Sequence, residues 1–132
     1  MIKTKILVVD DEPDILELLK EWLVLEGYDV SVAKNCHEFN RLALETKPDL
    51  IILDIMLGRE NGVNLYNGLL SQGFDRTIPV IFITGLAHDR PESPGMPGRT
   101  YALRTKPFNP YEIVNDIRCL VGDPDQRGQE VA

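Results

Sequence analysis

The 132 residues are 43% hydrophobic and 27% charged, with 14 Lys and Arg against 21 Asp and Glu for a formal charge of −7. That composition fits one globular domain with an ordinary apolar core and excludes a disordered chain or a disulfide scaffold. The acidic balance supplies no basic face for a phosphate backbone, so direct nucleic-acid binding by this domain is not expected, and no apolar run approaches the ~18 residues of a membrane span.

The N-terminus Met1-Ile2-Lys3-Thr4-Lys5 leads into a strand pattern rather than a signal peptide. Cys36 and Cys119 stand far apart among apolar residues and read as reduced core thiols, which points to the cytoplasm. Three short apolar runs, Ile6-Leu7-Val8-Val9, Leu50-Ile51-Ile52-Leu53 and Val80-Ile81-Phe82-Ile83, have the branched, doubly buried character of parallel strands.

Between and after these runs the spacing is helical. Ile15, Leu18, Leu19, Trp22 and Leu23 mark a first helix opened by Pro13 and stopped at Gly27. The alternation of Val30 and Val32 predicts an edge strand. Phe39, Leu42 and Ala43 mark a second helix, and Val63, Tyr66, Leu69 and Leu70 a third after a turn at Glu60-Asn61-Gly62. Tyr101 and Leu103 flank Ala102 in another edge strand, and Ile113, Ile117, Leu120 and Val121 form a last helix opened by Asn109-Pro110. Strand and helix in alternation imply a doubly wound α/β domain with a parallel sheet. Residues 89–98 hold three prolines and two glycines, so a loop is expected where a fourth helix would stand. The domain is expected over residues 1–121, followed by a polar tail or linker at 122–132, so that the chain is either a single-domain protein or a piece cut from a longer one.

In such a sheet, ligands bind outside the C-terminal strand ends. Asp10-Asp11 follows the first run, Asp54 the third strand, Thr84 the fourth, and Lys106-Pro107 the last. Clustered carboxylates repel one another and are relieved most cheaply by a hard cation, for which Mg²⁺ is the natural guest. A carboxylate beside that ion, with an ammonium and a hydroxyl, makes a cradle for a phosphoryl group. Taken singly, each residue has a plainer explanation. Asp10, Asp11, Glu12 and Asp14 could be a solvated helix start, Asp54 a turn cap, Thr84 a strand residue and Lys106 a surface lysine. Their joint placement at strand ends outweighs those readings. His37 and His88 lack ligand spacing and read as surface residues.

The chain resembles the receiver domain of two-component response regulators from about Lys5 to Val121. The resemblance rests on Ile-Leu-Val-Val-Asp-Asp-Glu at 6–12, Asp-Ile-Met-Leu at 54–57 with Asn61-Gly62, Phe-Ile-Thr-Gly at 82–85 and Thr-Lys-Pro-Phe at 105–108. It implies a flavodoxin-like (βα)5 fold with strand order 2-1-3-4-5 and a phosphoacceptor at Asp54. It also implies Mg²⁺ held by Asp10, Asp11, Asp54 and the Met56 carbonyl, Thr84 and Lys106 on the phosphoryl oxygens, and a cis Lys106-Pro107 bond. Such a domain catalyses only its own phosphorylation and dephosphorylation. Its partner would be a histidine kinase or histidine phosphotransfer protein, and it would act as a monomer or weak dimer.

Two departures bear on mechanism. The aromatic that receivers usually carry three residues before the lysine is Leu103, in a switch region of Thr84, Leu103 and Pro107. Met56 and Leu86 border the phosphoryl position and cannot orient water, which implies a long-lived phosphoryl form. Without the aromatic, ordering or release of residues 86–99 is the expected output switch. Two other functions are weighed against this one. A haloacid dehalogenase-type phosphatase needs an acid where Met56 stands, and a phosphorylation-independent pseudo-receiver would need none of the strand-end residues.

Overall fold

The structure is a computed structural model, described here over residues 2–85 and 101–122. The described residues form five strands of a main sheet and four helices. These are β1 (Lys5–Val9), α1 (Pro13–Leu25), β2 (Asp29–Ala33), α2 (Cys36–Thr46), β3 (Leu50–Asp54), α3 (Gly62–Ser71), β6 (Val80–Thr84), β7 (Tyr101–Thr105) and α4 (Pro110–Val121). Between β3 and α3 lies a two-residue pair, β4 (Met56–Leu57) and β5 (Glu60–Asn61). The main sheet runs β2-β1-β3-β6-β7 with every neighbour parallel, which is the expected 2-1-3-4-5 order once the small pair is set aside.

The period-two alternation of the strands divides the core. Leu7, Val9, Ile51, Leu53 and Phe82 face Phe39 and Ala43 of α2 and Val63, Tyr66 and Leu69 of α3. Ile6, Val8, Ile52, Ile81 and Ile83 face Leu16, Leu19 and Leu23 of α1 and Ile113, Val114 and Ile117 of α4. Each fully buried Val, Leu, Ile or Phe side chain among these stabilises the fold by roughly 1.5–3 kcal/mol. Helix starts follow the expected chemistry: Pro13 and Pro110 occupy first turns, and the Asn35, Asn61 and Asn109 side chains accept backbone N–H groups.

Four expectations are corrected. Leu16 replaces Leu18 on the inner face of α1, and Leu18 is exposed. The turn at Glu60-Asn61-Gly62 is instead strand β5 followed directly by the first residue of α3, and the reversal falls at Gly58, whose φ is +61°. Leu70, Leu120 and Val121 are only partly buried. Neither cysteine is a core thiol: Cys36 is half-buried at the start of α2 and Cys119 is exposed, because it lies off the Ile113–Ile117 stripe of α4. The loop expected at 89–98, the switch segment 86–99, His88, Leu86 and the tail at 123–132 lie outside the described residues. Among the described residues no helix is long and apolar enough to cross a membrane.

Candidate functional site

Because all five strands of the main sheet run the same way, their C-terminal ends share one edge. β1 delivers Asp10 there, tied by its N–H to the Ala33 carbonyl at 3.1 Å. β3 ends in Asp54 and β6 in Thr84, and the Lys106 N–H donates to the Thr84 carbonyl at 2.7 Å, so the residue after β7 is carried on the same ladder. Asp10, Asp54 and Thr84 are buried. The peptide bond Lys106-Pro107 is cis, and Pro107 is exposed beyond it.

The Lys106 ammonium is the hub. Its Nζ lies 2.9 Å from Asp10 Oδ2, 3.1 Å from Asp54 Oδ2 and 3.1 Å from Glu12 Oε1. Burial alone would lower the Lys106 pKa, but the attraction of Asp10, Asp54 and Glu12 outweighs it and holds the ammonium above its ordinary value. Asp54 responds in the opposite direction. Burial first, then the charge of Asp10, pushes its carboxyl up to about 6, although the Met56 N–H and Lys106 favour the charged form.

Backbone donors fix the carboxylates. Asp54 Oδ1 accepts the Met56 N–H at 3.0 Å and Asp10 Oδ1 accepts the Glu12 N–H at 2.9 Å. Asp11 Oδ2 accepts the Gly58 N–H at 3.1 Å, which links the acidic loop to the β4–β5 turn. That turn is built so that Met56 directs its backbone N–H to Asp54 while the residue as a whole stands 50% exposed.

The donor set suits a hard cation. One oxygen each from Asp10, Asp11 and Glu12 lie within 4.8 Å of one another. Asp10 Oδ2 is buried and, although ion-paired with Lys106, receives no aligned hydrogen bond. An all-oxygen group that includes one buried carboxylate matches what Mg²⁺ requires of a protein, the remaining positions being filled by water. Of the residues singled out in the sequence, Asp10, Asp54 and Lys106 are in direct contact, Thr84 joins them through its backbone, and Asp11 reaches the adjoining turn. Leu103, on β7, lies apart from this group: it pairs with Phe82 of β6 and packs partly buried on the α2–α3 side of the sheet. Glu12 gained its place only through folding, since its partner Lys106 is 94 residues away; its position after Asp10-Asp11 was the one available signal.

Comparison with known proteins agrees with this geometry. The profile of the response regulator receiver domain matches residues 6–118. The phosphate regulon transcriptional regulatory protein PhoB of Pseudomonas aeruginosa is 31% identical over 121 residues, covering 92% of this chain and 53% of that protein. The alkaline phosphatase synthesis transcriptional regulatory protein PhoP of Bacillus subtilis is 34% identical over 117 residues, covering 89% and 48%. The chain thus spans about half the length of these curated relatives. Among solved structures, the response regulator protein TrrA from Thermotoga maritima, described in complex with Mg²⁺-BeF, superposes with a TM-score of 0.76 at 32% identity, covering 89% of this chain and 99% of that one. The buried acidic edge, the parallel five-stranded sheet and these matches lead to one assignment: the chain belongs to the response regulator receiver domain family, the signalling domains of two-component systems.

Proposed function

We propose that this domain accepts a phosphoryl group on Asp54 from the phosphohistidine of a histidine kinase or a histidine phosphotransfer protein, in a reaction that depends on Mg²⁺. The observation that carries the reading is the contact of Lys106 Nζ with Asp54 Oδ2 at 3.1 Å inside a buried site. A carboxylate so placed is a nucleophile with a cation beside it. A carboxylate oxygen of Asp54 forms the new bond to phosphorus while the bond from phosphorus to the imidazole nitrogen breaks, and the ring keeps that electron pair and then takes a proton from solvent. The Lys106 ammonium neutralises charge on the transferred oxygens, and the hydroxyl of Thr84, at the end of the neighbouring strand, donates to one of them. Asp10, Asp11 and Glu12, with Asp54 and the Met56 carbonyl, are the groups that would hold Mg²⁺, which when bound supplies further neutralisation of the phosphoryl oxygens.

The reading gains support from TrrA, whose structure is described in complex with Mg²⁺-BeF. Residues 1–121 form the receiver and 122–132 a tail or linker. Signal output passes through Thr84, Leu103 and Pro107, and the domain turns over no metabolite. The test is transfer of label from a phosphorylated histidine phosphotransfer protein in Mg²⁺: wild type takes the label and Asp54→Asn does not. Equal labelling of the two would place the acceptor elsewhere.

A further inference from the structure

Among the described residues β7 is an edge strand, bonded by β6 on one side, and it carries Lys106 immediately beyond its end. Arg104 stands two residues before Lys106 and on the same face as Ala102, which packs with Ile113, Val114 and Ile117 of α4. Its guanidinium makes a fork with Asp116 of α4, Nε to Oδ2 at 2.6 Å and Nη2 to Oδ1 at 2.7 Å, and Nη1 reaches Glu112 Oε2 at 3.2 Å. Asp116 is mostly buried and Arg104 about one third exposed. Nothing in the phosphoryl-accepting chemistry uses this cluster.

We infer that Arg104 is a positioning residue which, through its fork to Asp116, sets where the Lys106 ammonium comes to rest; the inference rests on the function proposed above. The fork spans the four-residue connection 106–109, whose far end is closed by Asn109 Oδ1 accepting the Tyr111 N–H at 2.9 Å. α4 is in turn seated on α1 by its buried face, by the edge-on Trp22–Tyr111 rings at 5.0 Å and by Arg118–Glu26 at 3.2 Å. α1 begins directly after Asp10, Asp11 and Glu12. The circuit from the acidic loop through α1, α4, Asp116 and Arg104 therefore closes on Lys106, and it fixes the cation's base relative to the carboxylates it must meet. A lysine has a flexible stem and three carboxylates within reach, so its strand end must be held if one placement is to prevail. A partly exposed ion pair adds little stability, but a bidentate one adds orientation.

The experiment measures phosphorylation of the full chain by acetyl phosphate in saturating Mg²⁺ for wild type, Arg104→Met, Asp116→Asn and Arg104→Lys, with melting temperature and Mg²⁺ affinity alongside. The Met variant keeps an apolar stem, and the Lys variant keeps the charge without the fork. Arg104→Met and Asp116→Asn should each slow phosphorylation about tenfold at a temperature where they remain folded, with Mg²⁺ affinity held to about twofold, and Arg104→Lys should recover only part of the loss. Rates within about twofold of wild type in both the Met and Asn variants, or full recovery with Lys, overturn the inference while leaving the proposed function intact. A wild-type chain that takes no phosphoryl group overturns both.

Discussion

Gly62, the first residue of α3, lies against the main chain of Asp54 so closely that a β-carbon on it would collide with the Asp54 carbonyl oxygen, and its N–H donates to the Ile55 carbonyl at 2.6 Å. The obstacle is backbone rather than a side chain that can turn aside. Gly62→Ala must therefore displace the end of β3. We expect a loss of about 1–3 kcal/mol in stability and slower phosphorylation at Asp54. Thermal melts and acetyl phosphate labelling check this; a variant equal to wild type in both would show that the strand end is free to move.

The raised pKa of Asp54 makes stability depend on pH in the metal-free protein. Native Asp54 binds its proton up to about pH 6, whereas an unfolded carboxyl releases it near 4. In that window the native state holds more protons, so stability falls as pH rises, and above about 6 the whole penalty is present. Asp54→Asn should remove this part of the profile and stabilise the metal-free protein at pH 7.5 by about 1–3 kcal/mol. Parallel profiles for the two proteins between pH 4 and 6.5, in denaturant melts with chelator, would contradict it.

Asp11 contributes an oxygen to the acidic group and holds the Gly58 N–H. Asp11→Asn should weaken Mg²⁺ binding by about tenfold or more, while relief of carboxylate repulsion raises the metal-free melting temperature and shrinks the increment that Mg²⁺ adds. Calorimetry reports the first effect and thermal melts with and without metal the second. An unchanged dissociation constant would remove Asp11 from the ligands.

Met56 borders Asp54 with an apolar side chain that cannot align an attacking water. The acyl phosphate should accordingly outlast that of Met56→Asn, whose amide can hydrogen-bond the water. Loss of wild-type label within seconds in Mg²⁺ alone, or equal lifetimes in the two proteins, would contradict this.

The three central strands were readable because each is a short branched run closed by a polar residue, which exposed Asp10, Asp54 and Thr84 at one edge, and the two outer strands showed only as alternation, the second leading to Lys106. The inner face of α1 was harder to read. Ile15, Leu16, Leu18, Leu19, Trp22 and Leu23 spread over a face so wide that Leu16 and Leu18 mark its two margins, and only packing selects Leu16 over Leu18. β4 and β5 are too short to carry any period. The pairing of Glu12 with Lys106 and of Arg104 with Asp116 depends on how helices dock on the sheet, which local sequence does not encode.

If Asp54 carries the phosphoryl group, borohydride reduction of the phosphorylated chain followed by peptide mass spectrometry will locate it there. An acyl phosphate on aspartate is reduced to homoserine, whereas a free carboxylate or a phosphoester is untouched. Homoserine is expected at position 54 after treatment with acetyl phosphate and Mg²⁺, with unmodified aspartate at Asp10 and Asp11. Homoserine at another aspartate, or phosphorylation that leaves no residue reduced, would contradict it.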